Sequence, residues 1–257
     1  MLFADRTRAE SFGTVAELYD RARPSYPPEL IDALLAAAPR RVLDVGCGTG
    51  IASALLAERG ASVLGVEVDE RMASVARAKG LEVEVATFEA WDPAGRRFDL
   101  VAAAQAWHWI DPAVGVAKAA ELLDDGGAAA VFWNLGDPPP ELAARLRPIY
   151  ARLEPELERD ATSLGNAHPS VDAADASLRQ SGAFERPRIL RFAWQRRYDT
   201  AGWLDHLQTH SDHQTLPPER LERLLAAVAE AVEEIGGVFE MPYETVLVLA
   251  ARKVGLR

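Results

Sequence analysis

Residues 42–50 read VLDVGCGTG, an apolar run that stops on three glycines at alternate positions, Gly46, Gly48 and Gly50. A strand that passes into a helix through so tight a turn needs residues free of Cβ clashes. The helix follows at once in IASALLAERG, 51–60, which has helical apolar spacing and closes on Gly60. The same beat then repeats. SVLGVEVD (62–69) reads as a strand, RMASVARAKG (71–80) as a helix, and LEVEVATFE (81–89) as a strand running into a loop. FDLVAAAQA (98–106) is nearly continuous in apolar residues, as in the middle of a parallel sheet. AVGVAKAAELLDDGG (113–127) is expected to be a helix with a glycine-rich exit, and AAAVFWNL (128–135) the fifth strand. Repeated βαβ units of one hand predict an α/β fold built on a doubly wound, mostly parallel sheet.

The flanks extend that plan. SFGTVAELYDRARPSYPPELIDALLAAAP predicts two helices, a short one at 15–20 and a second starting at Pro28. After GDPPP the pattern changes: 141–182 reads as helical and irregular, 187–198 as a strand, 217–237 as an amphipathic helix and 243–253 as a last strand, for seven in all. The expected organisation is a single domain over 1–257. It comprises an N-terminal helical lid (1–38), a ligand-binding core (39–136), a helical cap (137–216) that contains the strand near 187–198, and a terminal helix and strand (217–257) that complete the sheet.

With 257 residues, 49% hydrophobic and 26% charged, the composition is that of a soluble globular chain. A net charge of −11 disfavours nucleic acid and anionic membrane surfaces as partners. The alternating Arg186, Arg188, Arg191, Arg196 and Arg197 read as the solvent face of a strand. One cysteine, Cys47, excludes a disulfide within the chain. The first residues carry no apolar signal core, and no run approaches the roughly 18 apolar residues of a membrane span, so a cytoplasmic location is expected. Oligomeric state has no signature here.

In open α/β sheets ligands sit beyond the carboxyl ends of the strands, where the glycine turn lies. A dinucleotide loop would place its third glycine at position 51, which is Ile, and no Gly-Lys-Ser/Thr follows for a phosphate loop. The spacing therefore favours a ligand without a pyrophosphate. Glu67, 21 residues past Gly46 and at the end of the second strand, is placed to accept the hydroxyls of a ribose. Cys47 reads as a small filler rather than a nucleophile, since no neighbour would lower its pKa.

On these residues the chain resembles class I S-adenosylmethionine-dependent methyltransferases, which have a Rossmann-like fold. VLDVGCGTG and GVEVD are similar to the first two motifs, ATFEAW (86–91) to the adenine loop, and AAQAWHWID (103–111) to the segment beside the sulfonium and substrate. AELYDRARPSYPPELID, VFWN and MPYETVLVLAARK resemble a subgroup that includes trans-aconitate methyltransferase-like enzymes. Ala86 stands where many relatives carry glycine.

The resemblance implies S-adenosylmethionine as cofactor, S-adenosylhomocysteine as product and a small-molecule acceptor. It implies that Gly46, Cys47, Gly48 and Gly50 line the methionine end, with Asp44 orienting the loop or meeting the amino group through water. Glu67 takes the ribose and Val68 the adenine face; Thr87, Phe88 and Glu89 flank the adenine, and Gln105 lies near the sulfur. Tyr19, Arg23 and Tyr26 belong to a lid, and Tyr26, Trp107, Trp109, Asn134 and His210 to the substrate side.

Two readings of His108 stay open: a general base toward a substrate hydroxyl, or a wall residue bonded to its surroundings. Arg21 or Arg23 is either a clamp for an anionic substrate or a solvated surface charge. His206, His210 and His213 share one face if their helix is continuous, a spacing suited to a metal; a polar helix end shaping the pocket roof is the expectation, with no metal. Two other functions compete: a nicotinamide oxidoreductase, and a cofactor-binding protein that transfers nothing.

Overall fold

The structure, a computed structural model, describes residues 12–157 and 169–255. The first 11 residues, whose lack of an apolar core was noted above, and part of the predicted helical region at 141–182 lie outside them.

A seven-stranded sheet forms the centre, in the order β3-β2-β1-β4-β5-β7-β6. Its strands are β1 (Arg41–Val45), β2 (Ser62–Glu67), β3 (Glu82–Val85), β4 (Phe98–Ala104), β5 (Leu123–Gly136), β6 (Arg188–Asp199) and β7 (Val238–Ala251). β7 runs antiparallel to both of its neighbours, and the other pairings are parallel. The chain winds from β1 out to β3, then returns to start β4 on the other side of β1. That reversal opens a crevice at the carboxyl ends of β1 and β4, where such sheets bind ligands.

Side-chain alternation divides the sheet between two cores. Val42, Leu100, Ala102, Ala130, Phe132 and Leu247 pack against helices α2 (Pro28–Leu35) and α3 (Ile51–Glu58) through Leu30, Ile31, Leu34 and Leu56. Their sequence neighbours Leu43, Val101, Val131, Trp133 and Val246 face α5 (Pro112–Leu122) and α7 (Pro169–Gln180). Helix α4 (Glu70–Ala78) lays Ala73 and Ala76 beside Cys47 and Val83. A separate cluster carries the cap: α6 (Pro140–Leu153), α8 (Thr200–Gln208), the short α9 (Ser211–Gln214) and α10 (Pro218–Glu233) bury Leu142, Tyr150, Trp203, Leu224 and Val228 against Tyr198 and Tyr243 of β6 and β7. The remaining helix, α1 (Ala16–Ala22), follows a 3-10 turn at Phe12–Val15 and packs on α8 and α4.

The largest boundary differences from the sequence reading lie at two strand starts. The fifth strand begins at Leu123 rather than 128, and the last at Val238 rather than 243. In β5, Leu123 pairs with Phe98 across a register shift, with Gly126 at φ +84°, so the glycines sit in an irregular strand and not at a helix exit. The arginine expectation holds in part. Arg186, Arg188, Arg191 and Arg197 are exposed, whereas Arg196 is half-buried, its guanidinium 4.8 Å from the Tyr198 ring. No helix among the described residues is long and apolar enough to cross a membrane.

Candidate functional site

The three glycines all take positive φ: +65° at Gly46, +56° at Gly48 and +78° at Gly50. That conformation folds the loop back onto β2. The N–H groups of Gly46 and Cys47 both donate to the Val66 carbonyl, at 2.8 and 3.2 Å. A methyl group at Gly46 would stand 2.6 Å from the Ala106 Cβ, so the loop and the exit of β4 approach more closely than any other residue permits. Cys47 is buried against Gly65, and burial pushes its thiol well above the usual range. It is a filler.

Glu67 faces this loop. Its Oε2 accepts from Gly48 N–H and its Oε1 from Asp69 N–H, both at 2.9 Å. Each carboxylate oxygen has a second lone pair left for a hydroxyl. Desolvation raises its pKa, opposed by those backbone bonds. Asp44 is fully buried at the end of β1. Its Oδ2 accepts from Ser53 Oγ at 2.6 Å, and its Oδ1 has no partner among the described residues. Burial pushes Asp44 up to about 7. Thr49 Oγ1, in the same loop, is also buried and unpartnered. Buried polar atoms without partners are rare enough to require an explanation, and a ligand bearing an ammonium group and polar hydrogens supplies one. The donor set thus fits the amino-acid end and the ribose of S-adenosylmethionine.

The predicted adenine side assembles beyond β3. Val68 and Thr87 are half-buried, and Phe88 is buried with its ring centre 6.5 Å from that of Trp107. Glu89 Oε1 accepts from Asp111 N–H at 3.0 Å and so ties the loop after β3 to the loop after β4. Gln105 is one of three residues other than glycine with positive φ among those described, at +58°. Its N–H donates to the Phe132 carbonyl (2.9 Å), and its side-chain Nε2 donates to the Asn134 carbonyl (3.3 Å). Trp107 is buried, and Trp109 stands between His108 and Phe12.

Several predicted residues stand elsewhere than expected. Trp133 Nε1 donates to His108 Nδ1 at 3.2 Å. An indole N–H only donates, so a neutral His108 carries its proton on Nε2 and offers no lone pair there. That bond accords with the second reading, a wall residue bonded to its surroundings. Arg23 donates from Nη2 to the Thr209 carbonyl (2.8 Å), with its guanidinium 4.9 Å from the Tyr19 ring, while its buried Nε has no partner among the described residues. Arg21 pairs loosely at the surface with Asp205, at 3.8 Å. Tyr26 packs edge-on against Phe132 at 5.0 Å, with Asp44 and Arg23 close enough to act on its hydroxyl.

The helix expected to align three histidines breaks at Thr209, yet the chain still gathers them. His206 and His210 bond through their Nε2 atoms at 3.1 Å, and His213 bonds to Asp212 (2.8 Å) and to the Tyr150 hydroxyl (2.9 Å). One nitrogen each from His210 and His213 and one carboxylate oxygen from Asp212 lie within 4.8 Å of one another, the spacing of a metal site. Hydrogen bonds within the cluster already account for both nitrogens of His213. Burial, with the Arg23 charge beside them, holds His206 and His210 well below the usual range.

Three residues at the crevice escaped the sequence reading. Ser53 holds Asp44; Asp69 caps α4 and meets Gly13, where a methyl group would overlap its carboxylate; and Ala106 sets the spacing to Gly46. Only Asp69 had a local signal, an acidic residue just before a helical run.

Comparisons with known proteins agree with this geometry. Residues 42–127 match the family described as a methyltransferase domain. An uncharacterized methyltransferase of Mycobacterium tuberculosis is 44% identical over 140 residues, 53% of this chain and 57% of the relative, so the match spans little more than half of that protein's length. A solved structure from Anaeromyxobacter dehalogenans, a candidate type II methyltransferase, superposes with a TM-score of 0.62 at 24% identity, over 90% of this chain and 97% of that one. Phosphoethanolamine N-methyltransferase 2 of Haemonchus contortus, solved with phosphomonomethylethanolamine and S-adenosylhomocysteine, superposes at 0.53 and 16% identity over 98% of this chain and 59% of its own. Likeness at those identities speaks for the fold. Residues 42–127 are thus similar to a methyltransferase domain, and the chain as a whole takes the Rossmann-like fold of its methyltransferase neighbours.

Proposed function

We propose that this chain transfers a methyl group from S-adenosylmethionine to an oxygen or nitrogen of a small-molecule acceptor. The observation that carries the reading is the pair of buried acids at the sheet's switch point, Glu67 bonded to the glycine loop and Asp44 with one oxygen unpartnered. The cofactor, when bound, supplies an electrophilic methyl group on a positively charged sulfur. Glu67 would hold the ribose hydroxyls, Asp44 and Thr49 the amino-acid end, and Val68, Thr87, Phe88 and Glu89 the adenine. The glycine loop would bring its backbone against the methionine portion, and Gln105 would stand beside the sulfur.

A departing neutral thioether needs no acid, so the protein's task is to align the acceptor's lone pair and exclude water. Trp107, Trp109, Tyr26 and His210 would border the acceptor. With the His108 lone pair engaged by Trp133, proton removal would fall to solvent or to the acceptor's own equilibrium. The absence of glycine at position 51 weighs against nicotinamide chemistry. The reading includes a cytoplasmic site of action and a lid and cap, 1–38 and 137–216, closing over the crevice.

The test is incubation with S-adenosylmethionine labelled in its methyl group and with fractionated small metabolites. Label is expected in a low-molecular-mass product, and Glu67→Ala is expected to lose it. Label retained entirely on the cofactor, despite measurable cofactor binding, would favour the non-transferring alternative.

A further inference from the structure

Asn134 was expected on the substrate side, and its hydrogen bonds give it another task. Its side chain sits at the end of a one-way chain of donors. Trp194 Nε1 donates to Thr245 Oγ1 at 2.8 Å, Thr245 Oγ1 donates to Asn134 Oδ1 at 2.6 Å, and Asn134 Nδ2 donates to the Ser25 carbonyl at 2.9 Å. The direction is set from the two ends. An indole N–H cannot accept, so the Thr245 hydroxyl receives from Trp194; a carbonyl cannot donate, so Asn134 turns its amide hydrogens to Ser25 and its oxygen to Thr245, which spends its single hydrogen there.

The chain begins on β6, crosses β7 and β5 and ends in the lid loop between α1 and α2. Thr245 is fully buried, its two bonds are partly buried, and the bond that ends the chain, from Asn134 to Ser25, is exposed. Beside Ser25, Tyr26 closes on Phe132, one strand position from Trp133 and two from Asn134. The Asn134 backbone carbonyl meanwhile receives the Gln105 side chain. One residue thus meets both the lid loop and the residue placed beside the sulfur.

We infer that Asn134 is a positioning residue: oriented by Trp194 through Thr245, it latches the lid loop over the cofactor crevice. The inference rests on the reading of the crevice as a cofactor site. Losing the latch frees the loop at Ser25 to move away while the sheet beneath keeps its pairing, so the effect is local and ligand-linked.

The test compares wild type with Thr245→Val, which keeps the shape and removes the hydroxyl, with Asn134→Asp, which cannot donate to Ser25, and with Thr245→Ser, which restores the bond. Hydrogen exchange is followed by mass spectrometry on peptides covering 19–27 and on peptides of β1 and β4, with S-adenosylhomocysteine affinity measured by calorimetry on the same samples. Thr245→Val and Asn134→Asp are expected to speed exchange of the lid peptide at least fivefold, leave β1 and β4 unchanged, and weaken S-adenosylhomocysteine fivefold or more. Thr245→Ser should restore both within twofold. Unchanged lid exchange in Thr245→Val, or equal acceleration in the sheet peptides, overturns the inference. Wild-type protein that fails to bind S-adenosylhomocysteine overturns the functional reading instead, and the exchange data still judge the latch.

Discussion

The crevice at the switch point and the cap are built by opposite means. The crevice is made largely by backbone held in place by short-range turns: three positive-φ glycines, a fourth positive φ at Gln105, and carboxylates that accept main-chain N–H groups. The cap is held by side chains that meet across long stretches of sequence, such as Tyr150 with His213, Arg220 clamped on the nearly buried Glu154, and Tyr198 with Tyr243. The first kind of site tolerates almost no added atom. The second kind tolerates substitution at a cost in stability, because its parts can shift. A scaffold of this design can keep one ligand site fixed and leave the surface above it free to vary.

That contrast is open to attack at three points. The largest effect is expected from Gly46→Ala. The added methyl group lands 2.6 Å from Ala106 at a φ of +65°, so backbone strain and overlap combine. Calorimetry should show S-adenosylhomocysteine binding weakened at least a hundredfold, with the far-ultraviolet spectrum retained. A tenfold loss or less would mean that the loop is softer than its geometry implies.

A medium effect comes from Asp44. Its carboxyl is pushed up to about 7 by burial, so below that pH it holds a proton that an ammonium-bearing ligand must displace. Cofactor affinity should fall as pH drops from 8 to 5.5, by up to about tenfold per unit below the pKa, and Asp44→Asn should flatten the profile at the weak level. For the free protein the sign is opposite. A folded-state pKa above the unfolded one means that ionisation opposes folding, so stability present at pH 4 is lost as pH rises through about 7. Thermal melts of the free protein across that range measure it, and Asp44→Asn removes the dependence.

The smallest effect on function belongs to the cap. Tyr150→Phe leaves His213 Nε2 buried without its donor, which costs about 1–3 kcal/mol. A melting temperature lowered by several degrees, with cofactor affinity unchanged within twofold, is the expected result. A large loss of affinity would show that cap and crevice are one cooperative unit rather than two.

The same difference explains what could be read from the amino-acid sequence. The glycine loop, Glu67 and the βαβ beat are local patterns whose physics depends on spacing along the chain, and each stands where the spacing put it. Nothing in RARPSYP says that Arg23 meets a carbonyl 186 residues away. The bond of His108 to Trp133, 25 residues on, and that of Asn134 to Thr245, 111 residues on, have no local signal either. The early start of β5 was hidden by glycines that mark helix ends as readily as irregular strands. Elements and loops follow from near neighbours, whereas tautomers and latches follow from folding.

Calorimetric titration of S-adenosylhomocysteine into the free protein and into Glu67→Ala, at pH 8, tests the central claim most directly. The account predicts one site per chain in the micromolar range and a loss of at least tenfold on removing the carboxylate that holds both the loop and the ribose. Equal affinity in the two proteins, or heat from neither at millimolar ligand, would contradict it.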